Sequence, residues 1–158
     1  EIRLTPQENK AQAVRMRRFQ MAAGSSCMVI LLAALCWWQG ILDFIPFLQA
    51  ASAIVLLIAL FYLLFRTGWN RRFADPSLTL PQIASSILII SHMVFYAHEA
   101  RTMFLLIYMV SFVFGMFHLR TRDIFNVAFL VLTCHATVIL LLWKFRPTTI
   151  DLRIEVVQ

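Results

Sequence analysis

RTGWNRRFADPSLTLPQ, residues 66–82, is a polar, basic stretch carrying two prolines, wedged between two long apolar runs. If those runs cross a membrane, this stretch is the loop joining them. Its three arginines, Arg66, Arg71 and Arg72, then suit the side that faces an anionic inner leaflet. Gly68 can leave the preceding helix with positive φ. Asp75 followed by Pro76 reads as a helix start, the carboxylate accepting free backbone N–H groups and the proline preset for the first helical position. Thr79 followed by Pro81 repeats that signal. An anchored connector explains these residues, but it gives no reason for Asn70, Phe73 and Ser77.

Working outward, the composition agrees with a membrane chain. Of the 158 residues 61% are hydrophobic and 14% charged, with mean hydropathy +0.78, against about 45–50% and about 25% in soluble domains. Five apolar runs approach the ~20 residues that span a bilayer as helix: 21–39, 48–65, 82–98, 102–119 and 123–143. Asp123 opens the last, and no other Asp, Glu, Lys or Arg falls in any of them. Pro6, Pro46, Pro76, Pro81 and Pro147 lie outside the runs or at their ends, where proline does not break a helix. The predicted fold is all-α, a polytopic transmembrane helix bundle with five spans and short connections. Residues 1–20 form a basic cytoplasmic segment, 21–143 the membrane domain, and 144–158 an outer segment.

Orientation follows from the basic residues. With the N-terminus inside, ten Lys and Arg fall on the cytoplasmic side and four outside, the bias of membrane proteins. Trp37, Trp38, Tyr96 and Trp143 then mark the outer interface and Trp69 the inner one. The net charge of +6 is therefore an anchoring charge and not a nucleic-acid signal. Residues 144–158, KFRPTTIDLRIEVVQ, turn apolar again at Ile154. They are expected to lead into a sixth helix of a longer protein, the alternative being a five-span protein with an outer tail. Ala22 with Ser26, and Ser111 with Gly115, have the small-residue spacing of close helix contacts. Cys27, Cys36 and Cys134 are scattered and read as packing residues.

Soluble-enzyme motifs are absent: no glycine-rich phosphate loop, GxSxG, HExxH or CxxC occurs. Ionisable groups of the kind that ion-coupled transporters use are missing from the spans, apart from histidine. His92 and His135 lie about ten and about twelve residues into their runs, a depth difference of about 3 Å. With Tyr96 and Cys134 beside them they are the candidate ligand-binding residues, and the two histidines are weak metal or haem candidates. The competing reading is interhelical hydrogen bonding by each imidazole. His98, Glu99 and Arg101 are expected in an outer turn, and Asp123 as a cap of the fifth helix.

The stretch 66–82 resembles the inner loop of the multi-span N-terminal sensor region of bacterial GGDEF-type diguanylate cyclases. The matching positions are Arg66, Gly68, Asn70, Arg72, Phe73, Asp75, Pro76, Ser77, Leu78, Thr79, Leu80, Pro81 and Gln82. Residues 14–24, 99–122 and 144–158 are also similar, so the resemblance covers nearly the whole chain. It implies six helices in the bacterial inner membrane, ahead of a cytoplasmic domain that condenses two GTP into cyclic di-GMP with magnesium, as a homodimer. These residues contain no GGDEF motif, so no catalytic residue carries over. What the resemblance implies is an input domain for a small or lipid-like signal. Alternatives are an input domain of a histidine kinase or an adenylate cyclase, or a stand-alone membrane scaffold or small transporter.

Overall fold

The computed structural model describes residues 6–73, 75–97, 104, 106 and 121–145. No strand occurs among them. The long helices are α1 (Pro6–Trp38), α2 (Phe44–Thr67), α3 (Thr79–Tyr96) and α4 (Thr121–Phe145), with a 3-10 helix, Trp69–Arg72, after α2. All four are long and apolar enough to cross a membrane. The shortest, α3, has 18 residues, or about 27 Å, close to a hydrocarbon core of about 30 Å. The expected run 102–119 lies outside the described residues except for Phe104 and Leu106, both helical. The Ser111 and Gly115 pair, the 98–101 turn and residues 146–158 also lie outside them.

The first helix is longer than its apolar run. Residues 6–20 are not a separate segment but are continuous with the span. Pro6 opens the helix, a position it favours, and Lys, Gln, Arg, Met and Ala, all strong helix formers, carry it forward. The helix closes through a left-handed Gly40 at φ 74°. The N–H groups of Ile41 and Leu42 both donate to the Cys36 carbonyl, at 2.9 and 3.2 Å, satisfying a C-terminal acceptor. Beyond this turn α2 starts at Phe44, four residues ahead of its apolar run, with Pro46 in the first turn, where no N–H bond is required.

Gly68 ends α2 at φ 75°, as its position in the loop predicts. The start of α3 differs from expectation. Asp75 does cap: Oδ1 accepts the Ser77 N–H at 2.9 Å and Oδ2 the Thr79 N–H at 3.3 Å. Yet the helix begins at Thr79, not Pro76, because Leu78 takes a left-handed conformation at φ 51° that interrupts helical geometry. That conformation costs a β-carbon-bearing residue about 1–2 kcal/mol. Leu78 offsets it by burial among Phe19, Phe61 and Phe65.

The helices pack in sequence order: α1 on α2, α2 on α3, α3 on α4. A larger apolar cluster includes Ala33, Ala50, Ile87, Met93, Val127 and Leu142. The smaller one, around Phe19 and Phe65 with ring centroids 5.3 Å apart, seals the end of the bundle next to residues 66–82, its foot. Ala22 and Ser26 line an open groove. Outward faces are strongly apolar, with Phe125 72% and Phe129 73% exposed. Hydrocarbon is the solvent that such faces match.

Two glycines test this backbone. A β-carbon on Gly68 meets only Arg71 Nε at 3.9 Å, so Gly68→Ala should lose about 1–2 kcal/mol through the left-handed backbone alone. Gly24 sits inside α1 with nothing within 4 Å of an added β-carbon, so Gly24→Ala should gain about 0.5–1 kcal/mol. Unfolding midpoints in one detergent read both; a stabilised Gly68→Ala variant contradicts the left-handed exit.

Candidate functional site

The foot is a knot of polar contacts tied by Asn70. This residue is wholly buried, in the 3-10 helix that α2's glycine exit creates. Its Nδ2 donates to the Pro76 carbonyl at 2.7 Å, and its Oδ1 accepts from Gln12 Nε2 at 3.1 Å. Gln12 Nε2 also donates to the Phe65 carbonyl at 2.9 Å, one of the last-turn acceptors that α2 cannot satisfy itself. Arg15 in turn donates to Gln12 Oε1 at 3.4 Å. Two carboxamides thus join α1, the end of α2 and the turn before α3.

The other loop positions follow from this knot. The Phe73 N–H donates to the Asn70 carbonyl at 3.4 Å. Ser77 is held at both ends, its N–H by Asp75 and its carbonyl by Gln82 Nε2 at 3.3 Å. Arg66 reaches Tyr62 Oη at 3.4 Å, and the Arg72 guanidinium lies 5.5 Å from the Trp69 ring centroid. The Phe73 side chain is half exposed, and nothing in the structure explains it. Arg15, Arg17, Arg18, Arg66, Arg71 and Arg72 gather at this end, and none forms an ion pair among the described residues. Both Asp75 oxygens are occupied by backbone N–H groups. The foot is an electropositive surface with fixed geometry, suited to holding anionic groups.

The second set of candidates lies higher in the bundle. His92 and Tyr96 occupy one face of α3, one turn apart, with ring centroids at 5.0 Å. Cys134, next to His135 on α4, packs against the larger cluster. Because α3 packs on α4, the two histidine-bearing helices are neighbours, a point the sequence leaves open. His92 Nε2 and His135 Nδ1 are both buried without a hydrogen-bond partner, so the interhelical bonding expected of them does not reach these atoms. No hydrogen bond joins the imidazoles, and among the described residues no three His, Cys, Asp or Glu gather as a metal site. Tyr96 instead borders a cavity of about 440 Å³ with Asp43, Phe44, Pro46 and Gln49. Asp123 falls in the first turn of α4.

Gln12 is the functional residue that sequence reasoning missed. The signal is the spacing Gln12, Met16, Phe19, Ala23, an i, i+4, i+7, i+11 helical face whose last three members pack in the foot cluster. Extended backward, that apolar face lands on Gln12. No family model, curated protein or solved structure matches the chain.

Asn70→Ala should lower unfolding free energy by about 1–3 kcal/mol, because it removes the partner of the half-buried Pro76 carbonyl and one of the bonds of the Gln12 amide. A double-mutant cycle with Gln12→Ala should show coupling of about 0.5–3 kcal/mol; strictly additive losses would dissolve the hub. At the other site, His92→Leu and His135→Leu should each cost less than about 1 kcal/mol, since an unpaired buried nitrogen is a liability of about 1–3 kcal/mol that leucine removes. A larger loss in thermal unfolding would mean that the nitrogen is paired in the membrane-bound protein.

Proposed function

We propose that the chain is the membrane-embedded sensory input domain of a bacterial diguanylate cyclase. It sits in the inner membrane with its N-terminus in the cytoplasm, and controls cyclic di-GMP synthesis by a C-terminal GGDEF domain outside these residues. The observation that carries the reading is the foot. Asn70, Asp75, Pro76 and Ser77, positions of the resemblance, are, with Gln12, among the residues whose polar groups hold the foot together. A loop fixed in this way at the ends of three helices is suited to pass a change in helix arrangement to a domain on the same side. GTP and magnesium belong to that domain, and its need for two facing active sites makes the parent a homodimer.

A signal acts here by its differential affinity for two arrangements of the helices. Within the described helices the apolar runs 21–39, 48–65, 82–97 and 123–143 contain no Asp, Glu, Lys or Arg except Asp123 at the start of the last, which argues for an apolar or amphiphilic signal over an ion. The same absence weighs against an ion-coupled transporter.

The reading frame beyond Gln158 should encode a sixth apolar span and then a GGDEF domain. The protein from that frame, reconstituted in vesicles with GTP and magnesium, should form cyclic di-GMP. A frame that stops at Gln158, or one that continues into an unrelated output domain, overturns the proposal.

A further inference from the structure

Helices α1 and α3 both pack on α2, and the groove between them has a volume of about 550 Å³, within the ~300–1,000 Å³ of small-molecule sites. Its walls include Val29, Leu32, Ile54, Leu57 and Ile89. Four serine hydroxyls also line it, but each donates back to its own helix. Ser25 and Ser26 bond the Ala22 carbonyl at 2.8 and 3.0 Å. Ser85 bonds the Pro81 carbonyl at 2.7 Å and Ser86 the Gln82 carbonyl at 3.0 Å. With those protons committed, the groove offers hydrocarbon contact and few free donors. Along α1 it runs from Phe19 to Leu32, about 20 Å, somewhat more than one leaflet of a ~30 Å core.

The end of the groove at Phe19 has the opposite character. Arg15 lies one turn below Phe19 on the same face, half-buried and held by Gln12. A guanidinium has further N–H donors to offer, and no carboxylate among the described residues takes them. An apolar channel about a leaflet deep, with an arginine one helical turn beyond its Phe19 end, matches an amphiphile with one anionic head. A transmembrane helix from a second copy fits less well, because the apolar runs of this chain carry no carboxylate except Asp123 and so bring no anionic group to Arg15.

We propose that this groove binds one anionic glycerophospholipid, an acyl chain lying between α1 and α3 and the phosphate on Arg15. The site goes beyond the cyclase reading and does not depend on it; the two fail separately, one by the reading frame and the other by lipid retention.

The test uses the full chain, purified in mild detergent and offered equal amounts of phosphatidylglycerol and phosphatidylcholine with identical acyl chains. Native mass spectrometry then counts retained lipid. The wild type should keep one phosphatidylglycerol in preference to phosphatidylcholine by roughly tenfold, the scale of one charge-assisted hydrogen bond. Arg15→Gln, at the rim, should bring the two lipids close to parity while still retaining them. Ala22→Phe, which fills the groove without touching the rim, should lose both. Equal retention by the wild type, undiminished preference in Arg15→Gln, or unchanged retention in Ala22→Phe overturns the proposal. A dimer in the same spectra that Ala22→Phe dissociates would assign the groove to a second copy, and overturns it equally.

Discussion

The Asn70 carboxamide is the constraint on which the foot of the bundle depends. Where α2 ends, its last carbonyls have no helical partner, and in a low-dielectric setting each unpaired acceptor is costly. The chain answers with side chains. Gln12 reaches the Phe65 carbonyl and Asn70 the Pro76 carbonyl, and the two amides bond each other. This arrangement requires α2 to stop sharply at Gly68, and it requires the chain to return before α3 through a tight turn. The left-handed Leu78 is the consequence of that turn. Its strain is offset because the same geometry drives its side chain among Phe19, Phe61 and Phe65, where burial of a leucine contributes about 1.5–3 kcal/mol.

Charge and polarity are distributed accordingly. Along the spans the outward faces are apolar and the serine hydroxyls are turned back onto their own helices, so little in the midsection calls for water. At the foot the pattern reverses: Arg15, Arg17, Arg18, Arg66, Arg71 and Arg72 lie on the elements that meet there, while both oxygens of Asp75 already accept backbone N–H groups. Arg15 belongs to both regions. It stands at the end of the α1–α3 groove and bonds Gln12, which bonds Asn70. A group that draws on Arg15 therefore acts on the amide pair fixing the loop, with only two side chains between.

Hydropathy makes the four described helices legible because a span needs only length and the absence of charge. It misplaces the starts of α1 and α2. Lys10, Arg15, Arg17 and Arg18 read as a solvated tail, yet they are good helix formers and continue the span without a break. Asp75 is legible as a cap, since Asp before Pro is a local signal. That the helix waits until Thr79 is not, because Leu78 owes its left-handed backbone to tertiary burial and no local propensity favours it. Asn70 stands out in the sequence as unneeded for anchoring, but its partner Gln12 is 58 residues away, and a single sequence carries no sign of that pairing beyond the helical face it completes. Likewise, matched depth suggests that His92 and His135 belong to one layer, whereas only packing shows that their helices touch.

Helix α3 connects these regions. Its first turn is bound by Asp75 and Gln82 to the foot, its middle forms one wall of the groove with Ser86 and Ile89, and its far end carries His92 and Tyr96. The two ends differ in how well their polar groups are satisfied. At the foot the carboxamides and Asp75 have partners; at the far end His92 Nε2 has none. The far end is held instead by apolar packing, with Ile90, Met93, Val94 and Ala97 buried in the larger cluster, so the directional polar contacts of α3 are concentrated at the foot. On the sensor reading proposed above, that places the response of the loop in its orientation and not in its unfolding, because melting it would break the bonds of Asn70 to Gln12 and to the Pro76 carbonyl together.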